Sequence, residues 1–443
     1  MISHLYRRLP VPLQNAAVTM RNCRQLWRKF GYLRGRPSSP PPGPAGSPAQ
    51  WLAELLDTAR NDCPYYADTL PKSMKVTEGT PIEEVLRSLP IVRKEVFREQ
   101  AAYFISRKVT RSNSQPFKTS GSTGTPIHGV ISRRDLRDRY CAIWRWFERF
   151  GMSPAKRWAR FLGADIATGA ADGISRRDVI HNHLFLSVYH MSEATVGRYA
   201  ETLRAYKPEI LEGYPSAVAT LARLMLACRQ QSPRIPAILV TAETLLPDQR
   251  DLIEKAFGTS PLDYYGSSEF APVLADDGDG FKHLLPETGL VELLDADDRP
   301  VRRGQIGRMV VTSFHSHFMP LIRYDIGDLA RYVAGGPSSL VVSEIVGRMD
   351  DVIIGPDGRY VGRLSTALKT LPQTVQMAQC LVSPSRVRVL YVSPRAIPDR
   401  EFVPFLRSLR DKVGDTSVVF EKVKDIRPGP RGKRPAVLRE VPV

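Results

Sequence analysis

The 443-residue chain is 42% hydrophobic and 25% charged, a globular composition with room for two or three domains and no run of about 18 apolar residues to insert in a membrane. Its 63 lysines and arginines against 46 acids leave +17, which suits an anionic small substrate, an anionic surface or nucleic acid. Its five cysteines, at 23, 63, 141, 228 and 380, form no Cys-x-x-Cys pair, so a disulfide framework is not expected and a reducing, cytoplasmic setting fits.

The chain opens on a basic stretch. Eight cations, from Arg7 to Arg36, precede the first acid, Glu54. Arg7, Arg8, Pro10 and Pro12 break up any secretory apolar core, so the segment reads as a basic helix lying on the body rather than a signal or transit peptide. Only Trp27, Phe30 and Tyr32 interleave with these charges, too thin a stacking array for nucleic acid. Residues 37–48, PSSPPPGPAGSP, read as a linker without helix or strand. From Trp51 onward, Leu52, Leu55, Leu56 and Ala59 recur at helical spacing.

The middle alternates strands and helices. Ser216 to Arg229 is amphipathic with Ser216 as N-cap, Ile238 to Val240 is strand-like, and Pro247 and Gly258 bracket a helix. Pro261 to Tyr265 then runs into a turn at Gly266. This β-α-β order predicts a sheet layered with helices. Leu290 to Leu294 and Arg308 to Ser313 read as a strand pair around a turn containing Asp297, Asp298 and Pro300.

Four short stretches carry chemistry. KTSGSTGTP, from Lys118, sets two glycines among five hydroxyls between strands, so that successive N–H groups and side chains can converge on phosphate; the Gly-Lys-Ser/Thr ending of a Walker loop is missing. YYGSSE, from Tyr264, offers an aromatic for a purine and a carboxylate, Glu269, for magnesium. RYDIGD from Arg323 and GRMDD from Gly347 place acids and Arg348 on glycine turns suited to a ribose, and Lys433 follows a glycine near the chain end. Taken alone, YYGSSE is as readily an ordinary turn, and the others read more readily as solvated turns or tail.

In this order, with GYPSAVATLARL, AETLLPDQR and MPLIRYDIGDLARY in support, the stretches resemble the adenylate-forming superfamily of acyl-CoA synthetases, in its phenylacetate–CoA ligase and capsular-polysaccharide branch, from about Leu89 to the C-terminus. The resemblance implies an α/β fold: a large multi-layer domain of sheets sandwiched by helices over 49–346, after the basic segment and linker of 1–48, and a small mobile α+β domain over 347–443. It implies ATP and magnesium as cofactors and a carboxylic acid as substrate, with coenzyme A, an amine or a carrier-protein thiol as acceptor, and is compatible with a homodimer. Thr119, Ser120, Gly121, Ser122, Thr123 and Gly124 would cradle the phosphates. Tyr265, with Gly266, Ser267 and Ser268, would flank the adenine, and Glu269 would hold magnesium. Asp328 and Arg348 would take the ribose, Asp350 would be the hinge, and Lys433 would be the mobile catalytic lysine.

Four departures from the family pattern stand out: Ile127-His128 where most of the superfamily has a lysine after proline, Arg308 in place of an acid, which adds charge near the site, VIIGPDGRYVG after GRMDD, and the short Arg-rich GPRGKRP, in which Arg431 and Arg434 compete with Lys433. Phe185, Tyr189, Tyr214, Ala242 and the run 163–171 either line an acyl pocket or belong to the core. His181-x-His183 and His315-x-His317 have a spacing that zinc accepts on one face of a strand, but nothing nearby in sequence completes four ligands. Cys141 and Cys228 read as packing residues. Rival readings are a nucleic-acid or membrane-surface binder using +17, and a non-catalytic relative.

Overall fold

The computed structural model describes residues 10–30, 40–71, 76–119, 127–161, 173–348, 352–354, 360–363, 371–372, 374–383, 386–413, 417–426 and 437–439. The chain divides into two compact units. The first comprises Met1–Glu292, Met309–Ile326 and Val333–Ser343; the second comprises Leu293–Arg308, Gly327–Tyr332 and Glu344–Val443.

The first unit opens with helix α1, Val11–Phe30. It lies on the body, as its sequence suggested: Arg177 N–H donates to Asn15 Oδ1 at 3.0 Å, and Arg176 Nε donates to Gln14 Oε1 at 2.5 Å. Helix α2, Pro48–Asp62, follows the linker, with Ser47 and Gln50 forming a capping box and Leu52, Leu55, Leu56 and Ala59 buried. Pro48 is therefore the first helical residue, not the last of the linker, because a proline at N1 loses no hydrogen bond. The short helix α3 is Lys94–Glu99. Strands β1, Ser114–Lys118, and β2, His128–Ser132, pair antiparallel, and α4, Arg133–Arg149, starts from the Ser132 cap.

The main sheet is parallel at its centre. Strands β3 (Trp158–Phe161), β5 (His183–Leu186), β6 (Ile210–Gly213), β7 (Ala237–Thr241) and β8 (Leu262–Tyr265) run side by side in the order β5-β3-β6-β7-β8. Strand β4, Ser175–Asp178, pairs antiparallel with β5; at the other edge β9 (Leu274–Asp276), β10 (Lys282–Leu284) and β14 (Val341–Arg348) continue antiparallel. β6 is buried at all four positions, as expected of a strand covered on both faces. Helices α5 (Val196–Tyr206), α6 (Pro215–Ala227) and α7 (Pro247–Phe257) cover one face, where Phe161, Leu203, Leu211, Leu221 and Phe257 form the core. Helix α4 covers the other with Trp144, Trp146 and Phe147 against Trp158, Ile210 and Leu239. α7 starts at Pro247 and ends at Gly258, whose φ of 72° is the left-handed cap glycine tolerates.

Ser216 is not the cap of α6. The helix starts one residue earlier, at Pro215, so Tyr214 takes the cap position, and the Ser216 N–H donates to Glu243 Oε2 at 3.1 Å. Two further strands, β11 (Gly289–Leu294) and β12 (Ile306–Ser313), and the long β13, Tyr324–Ala334, contribute residues to both units.

The second unit carries a four-stranded sheet ordered β19-β18-β17-β20, from β17 (Met377–Ser383), β18 (Arg386–Val392), β19 (Ser417–Lys422) and β20 (Val437–Arg439). β17 and β18 pair antiparallel; β19 and β20 add parallel edges. Helix α8, Val403–Val413, lays Phe405 and Leu409 on Cys380, Val387 and Val389. Strands β15, Val352–Ile354, and β16, Tyr360–Arg363, form a separate antiparallel pair.

Candidate active site

Thr119 closes the base of the glycine-rich loop. Its N–H donates to Ile127 O at 3.0 Å, and its hydroxyl accepts the Ile127 N–H at 2.9 Å. Thr119 is buried, so its side chain serves the loop's base. On β1, two residues before it, Phe117 lies opposite Gly129. A Cβ on Gly129 would run into the Phe117 ring and lie 2.7 Å from the Met319 sulfur. The space left by that missing side chain lets Phe117 meet Phe270 edge-to-face, with centroids 5.2 Å apart. The stem of the loop and the YYGSSE turn are thus packed together.

At the carboxyl end of β8, Tyr265 is half-buried, and Gly266 and Ser268 are exposed. Ser267 Oγ accepts the Ala271 N–H at 3.1 Å and its carbonyl accepts the Phe270 N–H at 3.2 Å, which curls the chain and turns Glu269 inward. Phe270 has φ 63°, an uncommon state for a non-glycine residue. Arg139 of α4 holds it by donating to the Phe270 carbonyl at 3.2 Å and to the Ala271 carbonyl. Burial pushes the Arg139 guanidinium down to about 10, which leaves it cationic at neutral pH. The Glu269 side chain is 3% exposed, and its counter-charge is Lys94 Nζ at 3.3 Å. Lys94, at the start of α3, also donates to Ile326 O at 3.0 Å, joining the turn to the start of β13.

The RYD part of the third stretch is braced from a distance. Val92 N–H donates to Arg323 O and Asp325 N–H to Val92 O, both at 2.9 Å, so residues before α3 act as a short extra strand. Arg93 pairs with Asp325 at 2.9 Å. Arg323, itself at φ 43°, forks onto both oxygens of Glu292 at 2.9 and 2.8 Å and donates to Leu89 O at 2.7 Å. These acids and cations are spent on one another, so they build the site rather than face a ligand.

With this geometry in hand, comparison with known proteins places the chain. No family model matches it. It is 23% identical over 462 residues to Protein CapK of Staphylococcus aureus, covering 100% of both chains. It is 24% identical over 345 residues to a phenylacetate-coenzyme A ligase of Thermus thermophilus, covering 75% of this chain and 76% of that protein. A crystal structure of 2-hydroxyisobutyryl-CoA ligase in the postadenylation state superposes with a TM-score of 0.63 at 16% identity, over 88% of each chain. The chain is similar in sequence to phenylacetate-coenzyme A ligases and shares the fold of adenylate-forming CoA ligases.

The first unit brings together the Thr119 stem, the Tyr265 to Glu269 turn and the opening of RYDIGD. Ser120, Gly121, Ser122, Thr123 and Gly124 lie outside the described residues, as do Asp350 and Lys433. Asp328 belongs to the second unit, half-buried on β13; Arg348 ends β14 with its side chain outside the description. Arg308, read from sequence as added charge near the site, is instead consumed structurally: buried in the second unit, it pairs with Asp298 and donates to Asp295 O at 3.1 Å.

Of the acyl-pocket candidates, Phe185 and Tyr214 are buried, Tyr214 within the α5–α7 core; Tyr189 is 36% exposed, and Ala242 is exposed at φ 68°. The run 163–171 lies outside the described residues. The histidine pairs do not share a strand face. His181 sits in a turn, its Nδ1 2.7 Å from Asp178 Oδ2, and His183 is on β5. His317 Nδ1 lies 2.7 Å from Asp135 Oδ1. Burial disfavours charge on His317, but the Asp135 contact outweighs it and raises its pKa. Burial holds His315 neutral, down to about 3. Among the described residues no cluster of three histidine, cysteine or acidic side chains can hold a metal. Sequence reasoning missed Lys94, Arg93 and Arg139; the LPIVRKE segment carrying the first two was the only signal within reach.

Proposed function

We propose that this protein joins a carboxylic acid to the α-phosphate of ATP, releasing pyrophosphate, and then passes the acyl group to a thiol, coenzyme A foremost. The observation that carries the reading is the buried carboxylate of Glu269 beyond the Tyr265–Gly266 turn, at the carboxyl end of a parallel sheet and packed onto the stem of a hydroxyl- and glycine-rich loop. The phenylacetate-coenzyme A ligases and the 2-hydroxyisobutyryl-CoA ligase, crystallised with 2-HIB-AMP and CoA, support it at the level of the family.

Two anions must meet in the first half-reaction, so cations and N–H donors have to stand where negative charge grows. The backbone and hydroxyls of residues 120–124, held at their base by Thr119, take the outer phosphates, Tyr265 flanks the adenine, and Asp328 with Arg348 takes the ribose. Lys433 neutralises the charge that builds at the α-phosphorus. Glu269 is an oxygen ligand of the kind a hard cation selects, and it fits magnesium once Lys94 yields its place. Magnesium bound there supplies positive charge to the phosphate oxygens. The chain from 347 onward turns about Asp350 between the half-reactions.

Carboxylate-dependent ATP–pyrophosphate exchange, across aromatic, aliphatic and amino acids, tests the first step. Product capture with coenzyme A against hydroxylamine separates thioester formation from transfer to an amine. No exchange with any acid refutes the reading and leaves a non-catalytic relative.

A further inference from the structure

On the α4 face of the first unit, a pocket lies over β3 and β6. Phe147, Trp158 and Tyr264 supply flat aromatic walls, and Asn22 of α1 closes one side. Its polar lining is Asn22, Gln25, Tyr140 and His183 together with one ion pair. Arg160 and Glu212 face each other in register on β3 and β6, with Nε and Oε2 3.1 Å apart and side chains 14% and 11% exposed. The Arg160 guanidinium also lies over the Trp158 ring, 4.9 Å from its centroid.

That pair is incompletely satisfied. Arg160 Nε and Glu212 Oε2 are buried and, among the described residues, neither makes a hydrogen bond; they approach without the alignment one requires. Buried charges are normally retained only when hydrogen bonds meet their remaining donors and acceptors. A donor and an acceptor, both unmet and a few ångströms apart in an aromatic-walled pocket, match a group able to donate and accept at once. A hydroxyl does both; a methyl does neither, and an ammonium only donates.

We propose that this pocket binds the substrate acid and selects an aromatic carboxylic acid carrying a ring hydroxyl, which donates to Glu212 and accepts from Arg160. The inference rests on the proposed acid-activating function and narrows its substrate. Tyr264 lines the pocket, and its neighbour on β8, Tyr265, begins the nucleotide turn. The pocket also gives the basic N-terminal helix a task, since α1 supplies part of its wall.

The test uses the full chain and three pairs of acids: benzoate, phenylacetate and cinnamate, each with and without a 4-hydroxyl. Calorimetry measures binding, and pyrophosphate exchange measures activation. In at least one pair the hydroxylated acid should bind tenfold tighter or more. In the Arg160→Met/Glu212→Gln double variant, which removes both buried charges together, that ratio should fall to about one. If the double variant does not fold, Glu212→Gln alone, of nearly the same size, should lower the ratio at least fivefold. A hydroxyl preference in binding without exchange upholds the pocket and refutes the catalytic reading. Exchange that favours bare or aliphatic acids upholds catalysis and overturns the pocket. Equal binding within all pairs, or a ratio that survives the substitutions, overturns it as well.

Discussion

His315 offers a sharp quantitative test of the loop between β12 and β13. It is 7% exposed, its Nδ1 is buried without a hydrogen-bond partner among the described residues, and burial lowers its pKa from 6.5 to about 3. Between these values the unfolded chain binds a proton that the folded one refuses, so stability falls as pH drops below about 6.5. Each pH unit there costs about 1.4 kcal/mol, so at pH 5 the loss is about 2 kcal/mol and at pH 7 it is nearly nil. His317 has the opposite sign: its raised pKa adds stability at low pH that disappears as pH rises through the folded value. Comparing wild type with His315→Leu cancels the His317 contribution. Urea unfolding followed by tryptophan fluorescence at pH 7 and pH 5 should show the wild type losing about 2 kcal/mol more than the variant on acidification. An identical loss in the two proteins would mean that His315 titrates normally and that the burial argument is wrong.

Lys433→Ala should slow carboxylate-dependent pyrophosphate exchange by about 10²–10³ while ATP still binds; an unchanged rate would shift the role to Arg431 or Arg434. Glu269→Gln should raise the magnesium concentration for half-maximal rate, whereas Lys94→Met, which frees the same carboxylate, should lower it; shifts in one direction would remove the pair from the magnesium site. Lys94→Met should also cost about 3–5 kcal/mol in urea unfolding, since it strands a buried carboxylate. Gly129→Ala should destabilise by about 1–3 kcal/mol, because its Cβ meets Phe117 and Met319; a stability within error of wild type would mean that the stem can shift freely.

What could be read from sequence was what is local. The Pro247 and Gly258 brackets, the strand pair around the glycine-rich loop and the helical period from Leu52 each depend on neighbours within a few positions, and they appear where expected. The Ser216 cap failed because Pro215, pre-set for the first helical position, moved the start by one residue. Lys94, Arg93 and Arg139 were invisible for another reason. Arg93 meets Asp325 across 232 positions and Arg139 meets Phe270 across 131, and no periodicity records such pairings. Arg308 carried a charge whose destination, the Asp298 turn, only the folded chain discloses.

The Val92 bridge also has a consequence for biogenesis. A ribosome releases Val92 and Arg93 long before residues 323–325 exist, and until then the backbone groups of Val92 and the charge of Arg93 lack the partners they will take. So long a closure makes late assembly of this brace the expected route, whatever order the flanking helices follow. Fragments ending before residue 324 should therefore be poor nucleotide binders even when their sheet is formed, and adding the missing piece as a separate polypeptide should restore binding.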